Sequence, residues 1–212
     1  TVGWRFENPK MEAMYPIVSL GKTAEKIADD LGISREFQDK FALESQQKAI
    51  NAINQGKFKD EIWPILVPQR KGNPLIVDTD EHPRYKNENG EYSVDLTLEK
   101  LSLLKPIFRK NGTVTAGNSS GINDGAAAVL LMSRDKADEL GLIPMARWVG
   151  SAVAGVDPGV MGYGPVPSTE KLLKRFNITL DDIGLIELNE AFASQSIGVM
   201  QKLNMNPDIT NV

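Results

Sequence analysis

The sequence predicts an α/β fold: pieces of a mostly parallel sheet with helices between them, preceded by a helical and loop-rich insertion. Three observations predict it. Apolar segments alternate with helical ones after Gly112, the pattern of a parallel layer with crossover helices. AAAVLLM (126–132) is an unbroken apolar run between turn residues, as in a strand covered on both faces. Residues 1–111 lack such runs and are mainly helix and loop.

Composition sets the outer bounds. The 212 residues correspond to about 1.4 domains at the usual domain size, with 41% hydrophobic and 25% charged residues, ordinary for a globular chain. A net charge of −4 gives no basic surplus for nucleic acid or an anionic membrane surface. No apolar run reaches 18 residues, and TVGWRFENPK lacks a signal peptide's charged-then-apolar pattern, so a cytoplasmic location is expected. There are no cysteines and one histidine, His82. Within these residues that removes thiolate chemistry, disulfides and histidine-rich metal sites.

The elements follow in order. Residues 1–20, with Pro9 and Pro16, read as an extended lead-in. Ala24, Ile27, Ala28 and Leu31 line one face of a helix that Gly32 stops in the left-handed conformation. Ser34 caps a second helix, in which Phe37, Phe41, Ala42, Ala49, Ile50 and Ile53 recur at three and four up to Gly56. Residues 62–67 lean to β structure, with Pro64 restricting them to an edge. The polar stretch 68–96 reads as loop with a short hairpin, and Thr97 opens a helix limited by Pro106. After the strand at 126–132, Ser133 caps a helix stopped by Gly141. A strand over 145–155, a helix over 168–176 and a strand over 185–188 follow, leading into a helix bearing Phe192, Ile197, Met200 and Leu203.

Several motifs carry little chemistry. Gly21-Lys22-Thr23 resembles the tail of a phosphate loop. That loop needs a glycine five residues earlier, where Pro16 stands, with fixed φ and no N–H to offer. Asp78–His82 gathers three carboxylates and an imidazole without the spacing of a calcium or zinc site, and reads as a solvated loop; no metal site is expected. Asn111, Asn118 and Asn177 begin N-x-[ST] sequons, which read as chance without a leader.

Three segments are more informative: GNSSGINDGAAA (117–128), GYGPVP (162–167) and LIELNEAFA (185–193). Each sets a small or polar break beside an apolar segment or helix. In the third, polar side chains stand where a strand gives way to a helix, the place where open α/β sheets bind ligands. Asn189 there can both donate and accept hydrogen bonds. On local grounds a helix cap is an equal alternative for it.

Taken together, GTVTAGNSSGINDGAAA, VDPGVMGYGPVP and LIELNEAFA, preceded by GKTAEKIADDLGISREFQDKFALESQ, GKFKDEI and DEHPR, resemble the thiolase family over nearly the whole chain. The resemblance implies two similar α/β halves with a loop domain inserted in the first. Residues 1–121 would be most of that loop domain, which covers coenzyme A and helps oligomers form. Residues 122–144 would end the N-terminal half and 145–212 begin the C-terminal half, so that both halves are represented in part. It also implies acyl transfer between 3-ketoacyl-CoA or acetyl-CoA and CoA through a cysteine thioester, with CoA as substrate and no further cofactor.

By the same resemblance, Asn189 holds an oxyanion-hole water. Ala116, Ser120, Ile122, Met161, Ala191 and Phe192 line the pantetheine channel, and Arg84 and Phe108 lie near the nucleotide. The family's catalytic cysteines and histidine have no counterpart in these residues, so the chain alone is expected to be inactive. Its partners would be CoA, acyl-CoA, the remaining thiolase segments and, when complete, copies of itself as dimer or tetramer. The alternative is a non-catalytic CoA-binding or assembly chain.

Overall fold

The computed structural model describes residues 5–212; the part of the expected lead-in over residues 1–4 lies outside the described residues. Helix α1 (Pro9–Glu12) is capped by Asn8, whose side chain accepts from the Lys10 N–H. Helix α2 (Leu20–Leu31) ends at Gly32 with φ 62°, a conformation that costs glycine nothing. Gly21, Lys22 and Thr23 form its first turn, with Thr23 Oγ1 donating to Leu20 O at 2.7 Å. Helix α3 (Arg35–Asn54) starts at Ser34, whose hydroxyl accepts from the Phe37 N–H, filling one of the open positions of a helix start.

Two antiparallel hairpins follow. Strands β1 (Ile65–Val67) and β2 (Leu75–Val77) pair with Leu66 opposite Ile76. Strands β3 (Tyr85–Glu88) and β4 (Glu91–Val94) are joined by Asn89-Gly90, with φ of 56° and 91°. Positive φ at both positions suits a two-residue hairpin turn, and the tyrosines at 85 and 92 meet edge to face at 4.7 Å. Then come α4 (Leu98–Ser102), α5 (Arg134–Glu139), a 3-10 helix (Pro158–Tyr163), α6 (Pro165–Phe176) and α7 (Ala193–Leu203). Among the described residues no helix is long and apolar enough to cross a membrane.

The core lies where α2 crosses α7. Ile27, Ala28, Ile33, Ala193 and Ile197 are buried together, with Leu31, Phe41 and Tyr163 around them. The fit is close at two glycines. A Cβ on Gly162 would collide with Ile27 Cδ1, and one on Gly198 would come within 2.9 Å of Ile27 Cγ2, so Ile27 fills the space that two absent side chains leave. A second cluster of Leu188, Val199 and Met205 lies on the other side of α7, against Val166 and Leu203.

Three expectations are corrected. The lead-in is not extended throughout, because Asn8 caps a helical turn that opens on Pro9, whose fixed φ suits a first helical position. The buried residues of α3 are Gln38, Asp39 and Ile50, while Phe37 is exposed; partners from distant segments hold the polar pair inside. The segments 126–132 and 145–155 form no strands, and Val129, Leu130 and Leu131 are about four-fifths exposed. A strand covered on both faces needs sheet neighbours and a helix on each side, and the described residues bring none to 126–132. The region 150–153 lies along α6, where Lys171 Nζ donates to Val153 O. The segment 185–188 makes one parallel bridge, Ile186 to Thr210.

Candidate functional site

The loop 113–120 is held from below by buried charges. Glu25 of α2, 1% exposed, accepts from the N–H groups of Thr113 and Val114 at 2.9 Å, with Arg109 at 3.4 Å. Asp39 of α3, 3% exposed, accepts from Asn118 Nδ2 at 2.9 Å and Arg35 Nε at 2.7 Å. Arg35 also donates to the carbonyls of Leu101 and Leu104. Within the loop, Asn118 Oδ1 accepts from the Thr115 N–H at 2.8 Å and Ser119 Oγ donates to Thr115 O at 2.6 Å. A buried carboxylate without partners costs several kcal/mol; here each has fixed donors, and the loop takes its shape from them. At the rim, Arg109 binds Asp29 with both terminal nitrogens and holds its carboxyl below the usual range.

This loop then joins the turn before α7. Ser119 and Phe192 form an antiparallel bridge, Ser120 N–H donates to Ala191 O at 3.0 Å, and Ala193 N–H donates to Asn118 O at 2.9 Å. The Phe108 ring meets Phe192 edge to face at 6.0 Å and covers Gly21, where a Cβ would collide with it. Phe108, Ser120, Ala191 and Phe192, from three separate sequence segments, thus stand at one junction.

Asn189 lies in the same turn with its side chain exposed. The residue at the start of α7 is Phe192, without a side-chain cap, so Asn189 caps no helix. Its neighbours are tied down. Leu188 N–H donates to Asn211 Oδ1 and Leu188 O accepts from Asn211 Nδ2, both at 2.8 Å. Glu190 accepts from Ser45 Oγ at 2.6 Å and from Asn211 Nδ2 at 2.7 Å.

Arg84 lines a cavity of about 600 Å³ with Glu81, Tyr85, Asp95, Lys100 and Leu104. Lys100 holds the Asp95 carboxyl below its ordinary range, and burial raises the Tyr85 phenol. The cavity abuts the loop: a Cβ on Gly117 would meet Leu104, which lines the cavity. Met161 sits half-exposed on the 3-10 helix that Gly162 packs against Ile27 and Gln195. Burial raises the phenol of the adjoining Tyr163. Ala116 and Ile122 are exposed, Ile122 almost fully. No group of three or more His, Cys, Asp or Glu among the described residues is arranged to hold a metal ion.

A family model for the thiolase N-terminal domain matches residues 8–135, and one for the thiolase C-terminal domain matches residues 142–212. The chain belongs to the thiolase family. It is 46% identical to a beta-ketoadipyl-CoA thiolase of Acinetobacter baylyi over all of this chain and 51% of that protein. The crystal structure of the Bacillus anthracis acetyl-CoA acetyltransferase superposes with a TM-score of 0.86 at 43% identity, covering 99% of this chain and 52% of that one. Human mitochondrial 3-ketoacyl-CoA thiolase in complex with CoA gives 0.82 at 42%, covering 92% and 46%. The chain thus spans about half the length of the relatives it matches.

Sequence reasoning about this thiolase chain did not single out Glu25, Asp39, Ser45, Glu190 or Asn211, which shape the junction. One signal was available: Glu25 and Asp39 fall beside apolar positions of their helices, and a carboxylate on a buried face requires a partner. Asn118, read as a sequon, is 2% exposed with its amide fully engaged, so it is unavailable for glycosylation. The pairing of Ser45 with Glu190, 145 residues apart, has no local signature.

Proposed function

We propose that these residues form the CoA-covering and oxyanion-hole part of a thiolase that moves an acyl group between 3-ketoacyl-CoA or acetyl-CoA and CoA. The observation that carries this reading is the hydrogen-bonded meeting of loop 113–120 with the turn 188–193, which leaves Asn189 exposed between anchored neighbours. In this role Asn189 orients a water toward the thioester oxygen, where negative charge develops as the enolate-like species forms. Donors fixed before the reaction lower its barrier because they need not reorganise. The thioester-forming thiolate and the acid/base groups come from outside these 212 residues, which contain no cysteine.

CoA enters as substrate. Its pantetheine arm passes Ala116, Ser120, Ile122, Met161, Ala191 and Phe192. Its nucleotide end lies by Phe108 and Arg84, whose guanidinium suits a phosphate or an adenine face. Residues 1–121 serve as the loop domain, 122–144 close the N-terminal half and 145–212 open the C-terminal half. The gap between the two family matches, 136–141, lies close to that last boundary. The exposed apolar residues of β1 and β2, Ile65, Leu66, Leu75 and Ile76, suit contact between copies in an oligomer.

The test is a chimera in which these residues replace the matching half of the Bacillus anthracis acetyl-CoA acetyltransferase. It is expected to cleave acetoacetyl-CoA with CoA, while the 212 residues alone give no turnover. Turnover by the chain alone would overturn the placement of the thiolate elsewhere. A folded but inert chimera would favour the non-catalytic assembly reading.

A further inference from the structure

We propose that Glu190, braced between Ser45 and Asn211, is a positioning residue that fixes the direction of Asn189; this rests on the reading of Asn189 given above. The bracing is continuous on both sides. Before Asn189, one side chain, Asn211, takes both peptide groups of Leu188 at 2.8 Å. After it, the same Asn211 Nδ2 donates to Glu190 Oε1 at 2.7 Å. The other carboxylate oxygen accepts from Ser45 Oγ of α3 at 2.6 Å. The next carbonyl, Ala191 O, is taken by Ser120 N–H.

Asn211 is itself pinned, its N–H donating to Ile186 O at 2.9 Å. Helix α3 also reaches the residue before Asn211, with Lys48 Nζ donating to Thr210 O at 3.1 Å. With residues 188, 190 and 191 held, the two peptides flanking Asn189 cannot rotate freely, and its Cα–Cβ direction is set. Hydrogen bonds to a carboxylate are shorter and stronger than neutral ones, and misplacing a group that orients the oxyanion-hole water by about 1 Å can cost about 100-fold in rate. Both Glu190 oxygens already accept from donors of fixed place, which suits a brace rather than a proton carrier.

The active chimera described above allows the test, with kcat and KM for acetoacetyl-CoA and CoA measured on variants checked by thermal melting. Asn189→Ala is expected to lower kcat by about 100-fold, in the range for one oxyanion-hole donor. Glu190→Ala is expected to lower kcat by about 30-fold with both KM values within about twofold, as for an interaction made only in the transition state. Glu190→Gln can still accept from Asn211 and donate to the Ser45 hydroxyl, so its kcat stays within about threefold of the parent. The double variant Asn189→Ala/Glu190→Ala is expected to be no slower than Asn189→Ala alone.

A slow Asn189→Ala beside an unimpaired Glu190→Ala overturns the positioning role alone. An unimpaired Asn189→Ala overturns the reading of Asn189 and the positioning role with it. A Glu190→Gln as slow as Glu190→Ala overturns the brace in favour of a role for the charge. If Glu190→Ala does not fold, Ser45→Ala decides. It keeps the carboxylate and should lower kcat about threefold, and an unchanged kcat there overturns the proposal.

Discussion

The junction of α2, α3 and α7 with loop 113–120 and the stretch 122–149 reverse the ordinary relation between polarity and burial. In the junction, carboxylates and an amide are inside: Glu25, Asp39 and Asn118 are all nearly inaccessible. In the stretch, aliphatic and aromatic side chains are outside, including Val129, Leu130, Ile143 and Trp148. Burial depends on what the rest of the chain brings to a residue. Polar groups go inside where donors and acceptors arrive in matching geometry. Apolar runs stay outside where no sheet neighbour arrives, however much area they would gain by being covered.

The contrast breaks first at the centre of the junction. Ile27 is fully buried between Gly162 and Gly198, and neither glycine has a side chain that could fill the space. Ile27→Ala is expected to destabilise the chain by about 2–5 kcal/mol, read from the urea midpoint. A loss under 1 kcal/mol would mean that the α2–α7 contact does not hold the fold together.

A smaller effect sharpens the polar half of the comparison. Asn118→Ala leaves the Thr115 N–H and one Asp39 oxygen without their partner, at about 1–3 kcal/mol. Amide hydrogen exchange at Thr115 should accelerate in step with the fall in stability. The smallest effect belongs to the exposed stretch. Leu130→Ser should change the stability of the chain by no more than about 0.5 kcal/mol while reducing self-association in sedimentation, because a continuous apolar surface favours association. A large loss of stability would show that 126–132 is covered after all.

Several helix ends were legible in the sequence. Ser34, Thr97 and Ser133 cap helices as expected, each accepting from the N–H three residues on, and Gly32 and Gly141 end helices with positive φ. These signals act within a single turn. The apolar face of α2 was also legible, since Ala24, Ile27 and Ala28 are buried. The face of α3 was legible in part: Ile50 is buried and Phe41 packs on the core, but Gln38 and Asp39 are buried as well, through partners at Thr113 and Asn118, more than 70 residues away.

The sequence by itself determined many of the helix starts and stops, the order of the three informative segments and so the family, and the absence of cysteine from these 212 residues. Tertiary structure decided the rest. It made Asn189 an exposed side chain between braced neighbours instead of a cap. It joined loop 113–120 to the turn before α7. The physical reason is range. Capping and helical periodicity are settled within three or four residues, whereas the partner of a buried carboxylate or an apolar strand is chosen only when distant segments meet.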